Sequence, residues 1–369
     1  MKRIFALTLA LCLLLCACGS TAEPETSPIT TPTQAPTTEP TTEPETEPTT
    51  EPTTAPTEPP VIYRNPLNGA VLEEPFTGRA TAVVINNIAA CLPQHGISGA
   101  DMIFELETEG GITRLLAVYT ELENVGSIGP VRSARSFFNS IAYGYDAPII
   151  HCGGSSWGLN GYSDENSQLS NWAHINEQYN GSYFFRDSSR TGSYSWEHTL
   201  FTNDQLLLKG LADKEYNTVY ADGLDYGMQF AEEPGLVGEP ASQVTVHFRD
   251  SKTTSFTYNP DNGLYAASQY NRNHVDGNTG EVLQYRNVLC LNVEQWGIYD
   301  GTYTRSFYDL IGEGTGYFAC DGQLIPILWS RADVASPFVY TTEDGTLLTL
   351  GVGTTYVGFS SDETSISYE

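Results

Sequence analysis

The chain has 369 residues, with 45 Asp and Glu against 17 Lys and Arg and a formal net charge of −28. So acidic a surface excludes nonspecific nucleic-acid binding, which needs a basic face to replace phosphate counterions. Hydrophobic residues at 40% and aromatics at 11% supply a core of globular size, so much of the chain folds.

Lys2 and Arg3 precede an apolar run from Ile4 to Leu15, shorter than a membrane-spanning helix needs and matching the core of a secretion signal over residues 1–17. The run ends Leu15-Cys16-Ala17-Cys18-Gly19-Ser20, which resembles the lipobox of bacterial lipoproteins: an aliphatic residue, a small residue, then the cysteine that receives diacylglycerol. Cys18 is the expected lipidated residue, because the bulky Leu15 directly before Cys16 fits a small-residue cleavage site badly. Two or three acyl chains, at about 0.8 kcal/mol per buried methylene, anchor a protein stably. The expected location is the outer face of the cytoplasmic membrane, facing the cell wall.

Residues 18–60 follow as lipidated cysteine and stalk. From 21 to 60 they are almost entirely Thr, Pro and Glu, with Pro at every fourth position from 24 to 56 and Ile29 as the one large aliphatic residue. Such a segment cannot offset its ordering entropy by burial, and its prolines bias it to an extended, solvated form. At about 3 Å per residue it reaches up to roughly 120 Å.

Residues 61–369 carry 15 positive and 37 negative charges, a net of −22. Thr81 to Asn86 reads as a buried strand, and Ile103 to Glu109, Gly110-Gly111 and Thr113 to Tyr119 read as a hairpin. Gly129-Pro130 is expected to open a helix to about Tyr143, followed by a strand from Ala147 to His151 and a helix from about Asn203 to Ala212. Beyond Pro240 short alternating strands are separated by Asp261-Asn262-Gly263, Asp276-Gly277-Asn278, Asp321-Gly322 and Asp344-Gly345. The fold class read from this is α+β, mixed sheets with a helical layer in a three-layer sandwich-like arrangement and a sheet-rich C-terminal half. The expected units are 61–235, a mostly-β 236–360 and a tail 361–369. Cys91, Cys152, Cys290 and Cys320 have no zinc-site spacing, and both disulfides and free buried thiols fit an extracytoplasmic domain of this size.

NPLNG at 65–69, VVINNIAACLPQHGIS at 83–98, ADMIFELETEGGITRLLAVY at 100–119, IGPVRSARSFF at 128–138 and YDAPIIHCGGS at 145–155, with HVDGNTGEVL at 274–283 and GEGTGYFACDGQLIPILW at 312–329, resemble the YerB-like lipoprotein family of Gram-positive bacteria over about residues 63–357. The resemblance implies an extracytoplasmic lipoprotein of two sheets plus a helical layer, in a family of unknown molecular function. Cys91 and His95 depart from the family pattern and inherit no role from it.

Glu105, Glu107 and Glu109 alternate and so share one strand face, opposite Phe104 and Leu106. Such a row could supply a raised-pKa acid beside an ionised partner, as glycoside cleavage needs, or could be a solvated outer face with Arg114 as counter-ion. Arg132 and Arg135 are three apart, expected on one helix face with Ser133 in the first turn. They form either an anion clamp or structural pairs with Glu109 and Asp146. His151, followed by Gly153-Gly154-Ser155, could join a pocket with Arg186 and His198. Gly154-Ser155-Ser156-Trp157-Gly158 formally matches a nucleophile elbow, but short Gly and Ser patterns arise by chance and no oxyanion segment precedes it. Asp276 to Glu281 starts like a calcium loop but lacks the third acidic ligand and distal Glu. No metal or cofactor site is read.

The leading functional expectation is a cell-envelope ligand such as peptidoglycan held in a cleft of Glu109, Arg114, Arg132, Arg135, His151 and Ser155. The alternatives are a wall-glycan hydrolase or lyase using Glu109 or Glu105, and a scaffold for another wall protein.

Overall fold

The computed structural model describes residues 61–154, 172–216, 219, 224–249, 251–361 and 366–369. The signal, Cys18, the stalk, Ser155 and the Ser156 elbow lie outside the described residues.

A mixed sheet of eleven strands forms the centre. Its principal strands are β1 (Thr81–Asn87), β2 (Met102–Glu107), β3 (Thr113–Tyr119), β4 (Ile149–His151), β5 (His174–Asn176), β6 (Glu239–Pro240), and, beyond three strands of the second sheet, β10 (Asn287–Asn292), then, beyond a separate hairpin, β13 (Gly312–Cys320), β14 (Gln323–Arg331) and β15 (Thr355–Ser360). Their spatial order is β6-β14-β13-β10-β15-β2-β3-β1-β4-β5. The expected hairpin is present, β2 pairing antiparallel with β3. At the centre β15 runs parallel to both β10 and β2, so strands from both sides of residue 235 form one continuous ladder.

The TAVVINN run of β1 is buried at every position because both sheet faces are covered. Ala82 and Val84 enter one core with Phe104, Leu116, Phe138 and Ile141. Val83 and Ile85 enter a second core with Ile103, Leu115, Val246 and Phe256. Each such aliphatic side chain contributes roughly 1.5–3 kcal/mol on burial.

A six-stranded sheet supplies the second core, with β7 (Gln243–Arg249), β8 (Lys252–Asn259) and β9 (Leu264–Gln269) at its centre. Lys252, Thr254 and Phe256 alternate inward along β8, the period-two register that one buried face imposes. A separate hairpin pairs β11 (Gln295–Tyr299) with β12 (Thr304–Tyr308).

Helix is sparse beside this strand-rich framework. On the first-core face α1 (Ser136–Gly144) buries Phe137, Phe138, Ile141 and Ala142, Phe137 meeting Tyr308 edge to face at 4.9 Å. On the other side α2 (Asp204–Asp213) buries Leu207 and Leu211, and its cap Asn203 accepts the Leu206 N–H at 2.8 Å.

The helix expected from Pro130 starts six residues later. Val131 N–H donates to Leu200 O at 2.8 Å, Arg132 N–H to Val84 O at 2.8 Å and Ala134 N–H to Gly153 O at 3.0 Å. With these donors satisfied by neighbouring strands, the segment stays extended up to Arg135, whose φ of −134° precedes the first helical turn.

Candidate functional site

Because β1, β2 and β4 point the same way and β3 runs against them, one end of the sheet gathers Asn86, Asn87, Glu107, Glu109, Arg114 and His151. The cross-strand register decides which face each side chain takes. Glu105 pairs opposite Leu115 and Glu107 opposite Thr113, whereas Arg114 pairs opposite Leu106. Arg114 therefore lies on the other face from the Glu105–Glu107 row, and the expected counter-ion role is corrected.

The row is not a solvated face either. Glu105, 1% exposed, is sealed between the two sheets and accepts hydrogen bonds from Asn87 Nδ2 at 2.8 Å, Thr113 Oγ1 at 2.6 Å, Thr254 Oγ1 at 2.9 Å and the Tyr356 hydroxyl at 2.7 Å. Lys252 Nζ lies 2.9 Å from its Oε1. Burial acts to raise the Glu105 pKa, but the Lys252 charge and these donors outweigh it and hold the carboxyl below its usual value. A buried, ionised carboxylate is poorly suited to donate a proton to a glycan. Glu107 accepts a fork from Arg249, Nε and Nη2 each at 2.6 Å.

Glu109 has left the strand and sits in the 3-10 turn Glu109–Gly111. Arg135 Nε donates to both its oxygens at 2.7 and 2.9 Å, and Nη2 donates at 2.6 Å. Arg305 lies 3.5 Å away. Burial raises this carboxyl, but the Arg135 hydrogen bonds and charge prevail and hold it below the ordinary range.

Arg132 and Arg135 stand in the extended segment before α1, not on a shared helix face, and separate to different acids. Arg132 pairs with Glu197 at 2.9 Å, Arg135 with Glu109, and Asp146 goes instead to Arg79 at 2.8 Å. Arg114 Nη1 donates to the Ser133 carbonyl at 2.6 Å; the serine enters through its backbone. The Nε atoms of Arg114 and Arg132 are buried without an acceptor among the described residues. Burial, then the charges of Arg135 and Arg132, push the Arg114 guanidinium down, so the row Glu109, Arg135, Arg114, Arg132 and Glu197 is electrostatically continuous and favours an added negative group near Arg114.

The histidines do not converge. His151 is fully buried, Nδ1 at 2.9 Å from Gly153 O and Nε2 at 3.1 Å from His174 Nδ1. Burial lowers its pKa to about 4. His198 meets Asn86 Nδ2 at 2.9 Å and Glu197 at 3.7 Å. Arg186 stacks on Trp196, 4.3 Å from the ring centroid. Among the described residues Cys91, Cys152, Cys290 and Cys320 form no disulfide. Asp276 is a turn lock: its carboxylate accepts the N–H groups of Gly96, Ser98 and Asn278.

Beside Glu109 opens a groove of about 530 Å³ lined by Glu109, Gly110, Gly111, Arg249, Trp296 and Ser306, among others. Trp296, 39% exposed, stacks on Phe307 at 5.9 Å with an 18° interplanar angle, so the hairpin β11–β12 presents a rigid aromatic wall facing a carboxylate and a guanidinium.

Residues 67–217 match the N-terminal domain and 244–357 the C-terminal domain of the family described as protein of unknown function DUF3048. The chain belongs to the YerB-like DUF3048 family. YerB of Bacillus subtilis (strain 168), named as a lipoprotein, is 26% identical over 303 residues, covering 80% of this chain and 86% of its own. The crystal structure of YerB from Bacillus subtilis aligns with a TM-score of 0.71 at 24% identity, covering 83% of this chain and 99% of that one, and has a similar fold. Among the described residues no helix is long and apolar enough to cross a membrane.

Three participants of this DUF3048 end were missed in the sequence: Arg249, Trp296 and Arg305. A usable signal existed for the first, since Arg249 and Lys252 are close-spaced cations in a chain with few.

Proposed function

We propose that this protein is a lipid-anchored envelope lipoprotein that binds a cell-wall glycan or its peptide stem in the groove beside Glu109. The observation that carries the reading is the groove's composition: an exposed Trp296 face, the Glu109 carboxylate and the Arg249 fork around about 530 Å³. A sugar ring stacks on an indole face while its hydroxyls donate to a carboxylate and accept from a guanidinium. Stem carboxylates find complementary charge along Arg135, Arg114 and Arg132. Diacylglycerol on Cys18 and the Thr-Pro-Glu stalk carry residues 61–235 and 236–360 into the wall as one binding body, the groove drawing lining from each.

Glu109, held ionised by Arg135, suits accepting hydroxyl protons more than donating one, which favours binding over hydrolysis. Calorimetric titration with soluble muropeptides tests this, with Trp fluorescence followed in parallel. Saturable heat with a Trp signal lost in Trp296→Phe is expected; no heat and no spectral change would overturn the groove as the binding place.

A further inference from the structure

The groove leaves unused a second concentration of reactive groups, the dry polar network between the sheets. Lys252 is 2% exposed, Gln269 2%, and Asn87 and Gln94 fully buried. Lys252 Nζ contacts Glu105 Oε1 at 2.9 Å, and the same oxygen accepts Asn87 Nδ2 at 2.8 Å. The carbonyl of that asparagine is held by two amide donors, Gln94 Nε2 at 2.7 Å and Gln269 Nε2 at 2.8 Å. Phe248 and Tyr270 wall the ammonium, their ring centroids 5.5 and 5.2 Å from Nζ. One buried carboxylate oxygen thus bridges an amine and a carboxamide nitrogen, while two donors wait at the carboxamide oxygen.

We infer that Lys252 and Asn87 condense within the folded chain to an isopeptide bond, with Glu105 as the proton relay. Glu105 Oε1 takes a proton from the ammonium, and the freed Nζ lone pair attacks Asn87 Cγ. Negative charge gathering on Oδ1 is met by the Gln94 and Gln269 N–H groups, which act as an oxyanion hole. Glu105 passes its proton to Nδ2, the Cγ–Nδ2 bond breaks, and Glu105 collects the second amine proton, which the departing ammonia carries off as ammonium. Ammonium and carboxamide become secondary amide and ammonium, with no oxidant, reductant or other reactant. Burial pushes the Lys252 ammonium down toward the neutral amine, and fixed neighbours in a buried site replace a bimolecular encounter. Gln269 is the competing acceptor, since its Oε1 accepts from Lys252 Nζ at 2.9 Å, but its Nε2 donates to Asn87 and not to the relay carboxylate, which leaves its nitrogen without a proton source. The bond ties the last residue of β1 to the first of β8 and so rivets the two sheets of a domain exposed to the wall.

The test is peptide mass spectrometry of the full-length protein after unfolding and trypsin digestion. Asn87 falls in the tryptic peptide 80–114, and Lys252, which trypsin no longer cleaves once its Nζ is acylated, in 250–272. The expected product is one branched species joining the two, lighter than their sum by one ammonia. It persists in Asn87→Asp, which loses water instead and gives the same branched mass, and is absent from Glu105→Gln and Lys252→Arg. Cleavage after Lys252, giving the linear peptides 80–114, 250–252 and 253–272 at unaltered mass from the wild-type protein, would overturn the inference whatever the variants do. Ammonia loss confined to 250–272 would assign the bond to Gln269 and overturn Asn87 as acceptor.

Discussion

Arg135 grips both carboxylate oxygens of Glu109 from the residue that immediately precedes helix α1. The pair fixes the turn that floors the groove, and both side chains are about a tenth exposed. Removing one partner of a largely buried pair leaves the other charge uncompensated, here relieved in part by Arg305. Arg135→Met is expected to lower unfolding free energy by about 2 kcal/mol, and Glu109→Gln with Arg135→Met to recover part of it. Urea denaturation of the single and double variants measures both; a double-variant loss equal to the sum of the two single losses would deny the coupling.

The 3-10 turn offers a paired test of two adjacent glycines. Gly110 and Gly111 have φ of +77° and +71°, but a Cβ at Gly110 meets open space whereas one at Gly111 stands 2.9 Å from Arg249 Cδ. Alanine at 110 adds backbone strain alone, about 1 kcal/mol. Gly111→Ala adds displacement of Arg249 from Glu107, and weakens muropeptide binding several-fold where Gly110→Ala leaves it nearly unchanged. Comparable binding by the two variants would contradict this.

Acid sensitivity follows from the buried histidines. Burial, with the Lys252 charge next, lowers His274 from 6.5 to about 3, and burial lowers His151 to about 4. The unfolded chain takes up these protons near pH 6.5 while the folded chain refuses them, so stability present above pH 6.5 is lost as pH falls toward the folded values. Each histidine contributes a slope of up to roughly 1.4 kcal/mol per pH unit within that window. Glu109, depressed below 4.5, adds a loss of the same sign at lower pH. His274→Gln should flatten the dependence of stability on pH between 6.5 and 5 by about one proton; an unaltered slope would remove His274 from the explanation.

Local signals made β1 and the β2–β3 hairpin legible: an aliphatic run, alternation, and a Gly-Gly turn. The start of α1 was not, because Pro130 has the right chemistry for a first turn while Val84, Leu200 and Gly153, distant in sequence, supply acceptors that keep the next residues extended. Alternation correctly put Glu105 and Glu107 on one face. That the glutamate face is buried as well was decided by Lys252 and Thr254 on β8, about 150 positions on, and no local pattern carries that. Likewise Arg114 looked like a counter-ion until the register set it opposite Leu106. The pairing of Glu109 with Arg135 was among the readings open from sequence; the groove was not, since Trp296 reaches it through a hairpin formed late in the chain.

Exposed Trp296 on its Phe307 backing is the aromatic anchor of the proposed groove, and Trp296→Ala should leave stability within about 1 kcal/mol of wild type. The decisive measurement is co-sedimentation of the full-length protein and Trp296→Ala with purified Gram-positive peptidoglycan, the supernatant analysed by mass spectrometry. Binding in the groove predicts that wild type pellets with the wall, that Trp296→Ala is retained at least several-fold less, and that no muropeptides are released. Equal retention of the two proteins would contradict the groove, and released fragments that vanish in Glu109→Gln would make the protein a wall hydrolase.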